Sequence, residues 1–205
     1  MGLTPKGMRR RAQIIEGTAA HLRTQDPGGI TLEDIRAVTR TSNSQIFHYF
    51  PGGKEELFLE VARYEADQVI EDQQPYLSAL DTWADWERWR ETVLARYRAQ
   101  GQQCPLGSLM SQLAETPGAP EVISALIGRW QAEVERGIRT MQASGLIRAG
   151  IDPVRCAAAM IAGIQGGVLV LRSTGDIGHL EASMEILFDH LRGRSSSSTL
   201  DKTAS

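Results

Sequence analysis

Apolar residues recur at spacings of three and four along almost the whole of this 205-residue chain. This spacing puts them on one face of an α-helix, because the helix has about 3.6 residues per turn. Segments that alternate apolar and polar residues and are rich in β-branched side chains, as half-buried strands are, are scarce. The pattern therefore predicts an all-α protein of about nine helices.

Proline, glycine and polar clusters break this pattern and locate the predicted helices. We expect helices over about 5–23, 31–39, 42–50, 54–73, 81–100, 104–113, 121–144, 156–172 and 180–191. The first three form a small domain over residues 1–54, which the helix over 54–73 connects to a larger domain over 74–192. The polar run over 193–205 cannot bury enough apolar surface to order itself, so we expect a disordered tail.

Charge is distributed unevenly between these domains, although the net charge of the chain is only −3. Residues 1–54 contain eight basic and four acidic residues, a net charge of +4, so the other 151 residues carry −7. A basic end on an acidic body is typical of a protein that presents one end to a polyanion. A solvated surface can have the same composition, so the gradient alone does not establish nucleic-acid binding.

Signals for export or membrane insertion are missing from the sequence. The first thirteen residues are polar and basic and lack the apolar core of a secretory signal. No window approaches the roughly 18 consecutive apolar residues of a membrane span. We therefore expect a cytoplasmic protein with no membrane partner.

Patterns of catalytic or metal-binding residues are also missing. Cys104 and Cys156 are far apart, without metal-ligand spacing, and read as reduced thiols. Gly166 and Gly167 lie inside a predicted helix and cannot form a phosphate-binding loop. The four histidines fall in no metal or catalytic motif. We expect no enzymatic activity, metal or cofactor. The histidines are His21, His48, His179 and His190.

The two short helices predicted over 31–39 and 42–50 have the arrangement of a helix-turn-helix. Thr31 and Asp34 predict a capping box at the start of the first. We expect the pair to dock through Ile35, Val38 and Ile46, leaving the second helix free to enter a major groove. Helical hairpins also occur in proteins that never bind DNA, so spacing alone leaves both readings open.

The outward positions of the second helix favour the DNA reading. They offer short polar groups, an amide that can pair with adenine, an aromatic that can meet a thymine methyl, and a histidine. The candidate DNA-binding residues of this helix are Ser42, Asn43, Ser44, Gln45, Phe47 and His48.

Residues 47–57 read Phe-His-Tyr-Phe-Pro-Gly-Gly-Lys-Glu-Glu-Leu, which resembles the signature of the TetR family of repressors. The resemblance covers Arg10 to Val61 closely, and beyond that only helix number and length agree. Phe47 stands where the family usually has tyrosine, which removes a phenolic contact to the DNA backbone. The additional glycine before Lys54 resembles a subgroup that includes multidrug-resistance regulators.

The resemblance implies a bacterial transcriptional repressor that binds a near-palindromic operator in double-stranded DNA as a homodimer. A small apolar or aromatic ligand, such as a drug-like compound, would release it. An activator of the same fold, or a DNA-binding architectural protein without a ligand, are the alternatives.

Carried over by position, the resemblance implies that Thr31, Ser42 and Lys54 contact phosphates and that Ser44, Gln45 and His48 face bases. Helix N-termini suit phosphates, because free N–H groups and the helix dipole favour an anion. We expect Tyr49 and Phe50 in the core. The basic run Arg9, Arg10 and Arg11 forms either an arm against the DNA or a flexible solvated patch.

Large apolar side chains of the C-terminal domain are candidates for a ligand pocket, because tryptophan and methionine often line small-molecule sites between helices. Each of them alone is equally consistent with core packing. The candidate ligand-binding residues are Trp83, Trp86, Trp89, Met110, Trp130, Met141 and Met160.

The helix predicted over 156–172 is apolar nearly all round and contains small residues that allow close helix approach. In a chain of this size it suggests a subunit interface. With the helix over 180–191 it would form a four-helix dimer bundle, as the family does. The candidate interface residues are Gly163, Gly167, Leu171, Leu180, Met184, Leu187 and Leu191.

Overall fold

A computed structural model describes residues 3–24, 30–101 and 113–193. These residues form α-helices and contain no strand, which confirms the all-α prediction. The turn at 26–29, the helix from 104 and the tail from 194 fall outside the described ranges. The helices are α1 (Pro5–Thr24), α2 (Leu32–Thr39), α3 (Asn43–Tyr49), α4 (Gly53–Glu71), α5 (Trp83–Gln100), α6 (Ala119–Ala143), α7 (Pro153–Thr174) and α8 (Gly178–Arg192), with a 3₁₀ turn at Tyr76–Ala79.

The chain divides into two compact units. The first unit comprises Met1–Gln74 and Arg96–Arg129, and the second comprises Pro75–Ala95 and Trp130–Ser205. The N-terminal part of the sequence thus groups with a later segment. The domain boundaries expected at residues 54 and 74 stay a prediction.

Each of the helices α1, α2, α3 and α4 contributes fully buried side chains to the core of the first unit. Examples are Ile14, Ile35, Ile46 and Leu57. Val38 was expected to point inward, but it is 46% exposed. The inner position is taken by the next residue, Thr39, which lies one helical turn after Ile35 and donates its hydroxyl to the Ile35 carbonyl at 2.6 Å. The helix-turn-helix therefore docks without Val38.

The second unit contains an aromatic cluster and a close pair of helices. Trp86, Trp89 and Phe188 pack ring against ring, with centroids 5.6 to 6.4 Å apart. Helices α7 and α8 approach so closely at Gly167 that a Cβ atom there would lie 2.5 Å from the Cα of Leu180. Only glycine allows this backbone separation.

Helix α7 is long and apolar enough to span a bilayer by length and composition alone, although the sequence has no uninterrupted apolar run of that length. Buried core helices of globular proteins have the same two properties. Residues of α7 from Ala157 to Leu171 contribute repeatedly to the core of the second unit.

Candidate nucleic-acid interface

Helix α3 is held at its two ends by different kinds of contact. At its start, the Ser42 Oγ accepts the Gln45 N–H and the Gln45 Oε1 accepts the Ser42 N–H, both at 3.2 Å. This is a capping box. Ile46 and Phe50 are fully buried and anchor the other side. The Ser-x-x-Gln pattern was the sequence signal for this cap, and our sequence reading missed it.

The outward side chains of α3 face solvent. All six candidate residues are exposed, and Phe47 keeps half of its surface accessible. The orientation is the one expected from the sequence, whereas their contact with DNA stays a prediction. The six are Ser42, Asn43, Ser44, Gln45, Phe47 and His48.

The cap limits how Gln45 can meet a base. Two-point recognition of adenine uses the amide oxygen and the amide nitrogen of glutamine together. The oxygen of Gln45 already accepts the Ser42 N–H. This bond takes one of the two lone pairs of the oxygen, so Gln45 can read adenine fully only from an orientation that keeps the cap or by releasing it.

The N-terminus of α2 has the predicted capping box, but its charge differs from that of the α3 N-terminus. The Thr31 hydroxyl donates to the Asp34 carboxylate at 2.6 Å, and the Thr31 N–H donates to the same oxygen at 2.8 Å. These hydrogen bonds lower the pKa of Asp34. Glu33 and Asp34 place two negative charges in the first turn of α2, whereas the first turn of α3 has no acid. The α3 terminus is thus better suited to a phosphate.

Lys54 starts α4 and lies beside the head, the part of the first unit formed by α1, α2 and α3. Its Nζ donates to the Ile30 carbonyl at 2.6 Å and lies 5.0 Å from the centroid of the Phe58 ring. An ammonium group has three N–H donors, so the Ile30 contact leaves capacity for a phosphate. The predicted phosphate contact of Lys54 stays a prediction.

Two of the three arginines in the basic run have structural roles. Arg10 donates to the carbonyls of Thr39 and Arg40 at 3.1 and 2.8 Å and so closes the end of α2. Arg11 pairs with Glu60 at 2.9 Å. The flexible solvated patch is therefore wrong for Arg10 and Arg11, whereas a contact of the three arginines with DNA stays a prediction. The partners of Arg10 and Arg11 are about 30 to 50 residues away, beyond the reach of a local pattern.

A basic groove lies between the start of α1 and helix α3. Its volume is about 870 Å³. Tyr49 was expected in the core, but it is half-buried and packs edge-on against His48 at 4.8 Å between ring centroids. The expectation for Phe50 is confirmed, since it has no exposed surface. The groove is lined by Lys6, Arg9, Arg10, Gln45, His48 and Tyr49.

The turn between α3 and α4 depends on one glycine. Gly53 has a φ of +70°, a left-handed conformation that side chains rarely adopt. A Cβ at Gly53 would also lie 3.2 Å from the Phe47 ring. The Pro-Gly-Gly stretch thus lets the chain turn sharply beside the outward face of α3.

Residues 81–187 match a protein-family model described as the tetracycline repressor-like C-terminal domain. The match covers more than half of the chain. The chain belongs to the TetR family. It is therefore a DNA-binding transcriptional regulator and not an enzyme.

A bacterial relative is similar to this chain over most of its length. The chain is 23% identical over 177 residues to an uncharacterized HTH-type transcriptional regulator of Mycobacterium tuberculosis, an alignment that covers 83% of this chain and 88% of the relative.

Solved structures share the fold. A TetR regulator from Chloroflexus aurantiacus has a TM-score of 0.74 at 24% identity, covering 90% of this chain and 94% of that one. One from Haloarcula marismortui has a TM-score of 0.78 at 13% identity, covering 91% and 98%.

The residues proposed for a TetR-type ligand site lie mainly in the core. Trp86, Trp89, Trp130 and Met141 have no exposed surface, and Met160 is 1% exposed. Their part in ligand binding stays a prediction.

The remaining two candidates differ from these core residues. Trp83 is half-buried under the Arg192 guanidinium, at 4.8 Å from its ring centroid. Met110 lies outside the described residues.

The candidate dimer residues need correction. Gly167, Leu171, Leu180, Met184 and Leu191 are buried within the second unit of a single chain, so they have almost no surface left for a partner. The prediction rested on α7 being apolar nearly all round and so needing a second subunit to cover it. In the structure its neighbour α8, in the same chain, covers much of that surface.

The two other candidates, Gly163 and Leu187, are half-buried, and a Cβ at Gly163 would lie 3.3 Å from Leu187 Cδ1 of the same chain. The apolar surface that remains open belongs to different residues. Leu169 of α7 is 64% exposed and Ile186 of α8 is 65% exposed.

Polar groups in the second unit have no catalytic or metal-binding arrangement among the residues that the structure describes. No group of three histidine, cysteine, aspartate or glutamate side chains is close enough there to hold a metal. Cys156 is a free thiol whose pKa is raised by burial. Cys104 lies outside the described ranges.

Proposed function

We propose that this regulator is a cytoplasmic repressor that binds a near-palindromic operator as a homodimer and is released by a small molecule. The observation that carries the DNA part is helix α3. It presents exposed polar side chains on one face and has a capped N-terminus without acidic residues. Each subunit would place α3 in a major groove, with the two grooves about one DNA turn apart.

The homodimer is supported by the apolar surface that stays open on α7 and α8. Leu169 and Ile186 are each about two-thirds exposed, more than any other large apolar side chain that the structure describes, and covering them with a partner would remove this apolar surface from water. We propose that these two residues, with Leu187, meet their counterparts in the partner. The TetR family typically dimerises, which supports the same arrangement.

Release by a ligand is supported by family membership and by the aromatic content of the second unit. We propose a small apolar or aromatic compound as the ligand, and xenobiotic sensing as its use. A ligand that binds one conformation better shifts the population toward it. Activation in place of repression is compatible with the same DNA-binding head.

Selection of bound sequences from random duplex DNA by the purified full-length protein tests the proposal. We expect a palindromic consensus, because a symmetric dimer reads two equivalent half-sites. Ser44→Glu places a negative charge on the outward face of α3 and should abolish enrichment. Ser124→Glu, at an exposed serine of α6, is the matched control and should retain it. A single half-site, or no enrichment, would contradict the proposal.

Once a consensus is known, ligand release can be tested with the labelled duplex. Aromatic and apolar compounds are screened for loss of fluorescence anisotropy of the protein–DNA complex. Compounds that act should bind the free dimer more tightly than the operator-bound dimer, and the loss of DNA affinity should grow with that ratio. If no compound lowers the anisotropy, the result would favour the alternative of a DNA-binding architectural protein without a ligand.

A further inference from the structure

Helix α4 and the residue that caps its end are tied to other segments of the first unit by ion pairs. In each pair an acidic side chain of α4 or its cap meets an arginine of α1, α5 or α6. Three of the four acids keep some solvent contact, and only Glu65 has none. The pairs are Glu60 with Arg11, Glu65 with Arg23, Asp67 with Arg129 and Asp72 with Arg96.

The Glu65 pair has the geometry of a fixed joint. Arg23 Nε donates to both carboxylate oxygens of Glu65, at 2.9 and 3.2 Å, and Arg23 Nη2 donates to Oε2 at 2.9 Å. Arg23 is the penultimate residue of α1, which packs against both α2 and α4. A two-point charged contact restrains orientation as well as distance. The joint thus lies where the DNA-binding head meets α4.

Burial makes the charged form of Glu65 costly. Loss of solvent raises the pKa of Glu65 to about 7, and the hydrogen bonds from Arg23 act in the opposite direction. Asp72 also raises it. Glu16 of α1 and Glu71 of α4 face the neighbouring Tyr64. For stability alone, well-packed apolar side chains at these positions would serve as well as a buried ion pair.

We infer that Arg23 and Glu65 are a positioning pair that holds the head on α4 in its DNA-binding arrangement, so that operator affinity requires Glu65 in its charged form. This inference rests on the proposed function, since it concerns binding to the operator. The buried ion pair is kept for orientation and not for stability. Protonation removes the charge from Glu65 and with it the restraint on α1.

Glu65→Gln separates positioning from folding, because glutamine has nearly the same volume and lacks the charge. Affinity is measured by fluorescence anisotropy with the selected duplex between about pH 6 and about pH 8. At the upper end the variant should bind about 10-fold more weakly than the natural protein, and at the lower end the two should converge. Thermal unfolding at about pH 8 should find no large loss of stability, because the variant no longer buries the charge of Glu65 and the Arg23 side chain, which loses its partner, is 22% exposed to solvent.

Controls keep other titrating groups from producing the same result. Any other group that titrates on the DNA face affects the natural protein and Glu65→Gln alike, so the ratio of their dissociation constants removes its effect. Glu60 lies on α4 like Glu65, and its ion pair with Arg11 of α1 is partly exposed. Glu60→Gln breaks that pair and should leave the pH profile of operator binding unchanged. Arg23→Lys keeps the charge and should restore part of the affinity that Arg23→Gln loses.

The outcomes are distinct. Equal pH profiles for the natural protein and Glu65→Gln on an enriched duplex would overturn the positioning pair and leave the proposed function intact. The positioning pair would also be overturned if Glu65→Gln lost both operator affinity and stability by the same amount at every pH. Such a result would mark Glu65 as a residue needed only for folding. A selection that enriches no duplex would overturn both.

Discussion

Helices α3 and α7 each turn part of their surface away from their own unit, and the two surfaces have opposite chemistry. The open face of α3 is mainly polar, with serine, asparagine, glutamine and histidine beside the half-exposed Phe47. The open face of α7 is apolar and includes Leu169, which is 64% exposed. One surface can exchange hydrogen bonds with base edges, and the other can only gain by excluding water.

The two helices are also held in different ways. A helix of seven residues is too short to be stable alone, so α3 depends on the Ser42–Gln45 cap and on the buried anchor Ile46. Helix α7 has 22 residues and is held by close packing on α8 at Gly167. Local hydrogen bonds thus place the DNA-reading surface, whereas backbone proximity places the candidate dimer surface.

The largest effect is expected from filling the contact between α7 and α8. Gly167→Ala puts a Cβ 2.5 Å from the Leu180 Cα, and backbone atoms cannot turn aside, so it should lower the free energy of unfolding by about 3 kcal/mol. Gly166→Ala is the matched control, because no described atom beyond its chain neighbours and the nearby backbone of α7 lies within 4 Å of its Cβ position. It should raise that free energy by up to about 1 kcal/mol. Thermal and urea unfolding check both, and equal effects would refute the close-packing explanation.

The next effect concerns the apolar surface. The double variant Leu169→Asp with Ile186→Asp should weaken the proposed dimer about 100-fold or more, because two large side chains would lose about 1.5 to 3 kcal/mol of burial each. Sedimentation velocity at micromolar concentration should find a monomer. Val38→Asp alters an apolar residue of the head that is 46% exposed, and this variant should remain a dimer. A natural protein that sediments as a monomer would contradict the homodimer itself.

A smaller effect separates the roles of two DNA contacts. Gln45→Ala should reduce discrimination between the consensus and a single-base variant about 10-fold. Lys54→Ala should weaken all duplexes similarly and reduce the slope of log affinity against log salt by about 1. Titrations of both variants at several salt concentrations check this. Identical behaviour would show that the division into base-reading and phosphate-binding residues is wrong.

The smallest effect compares the two capped helices of the head. Thr31→Ala and Ser42→Ala should each lower the free energy of unfolding by about 1 kcal/mol, because each loses a side-chain cap. Only Ser42→Ala should also weaken operator binding by several-fold, since the first turn of α2 carries Glu33 and Asp34 and repels phosphate. If Thr31→Ala loses as much affinity, then phosphate binds at both helix starts.

Contacts between residues close in the chain were readable from the pattern. Thr31 and Asp34 form the expected capping box, and Asp152 caps α7 with Pro153 in its first turn. The outward face of α3 followed from helical spacing around Ile46. The Ser42–Gln45 cap has the same three-residue spacing and is equally predictable from the sequence. We do not predict it, because we assign Gln45 to base contact alone.

Contacts between distant residues were not readable. Arg10 reaches the end of α2, and Arg23 reaches Glu65 of α4 across 42 positions. The same limit explains the exposed Val38 and the buried Leu180. Both residues are apolar, and composition does not say which neighbour will cover them.

The sequence by itself determined that this protein is helical, where most helices begin and end, and that its N-terminal head carries a short helix with an exposed, mainly polar face. These properties depend on residue spacing and on capping groups within a few positions, where the geometry of the helix is the same in any protein. Only the tertiary structure decided which apolar residues of α7 and α8 stay open, and that Glu65 is buried against Arg23. Such properties depend on which helices approach each other and how closely, and that follows from the packing of the whole unit.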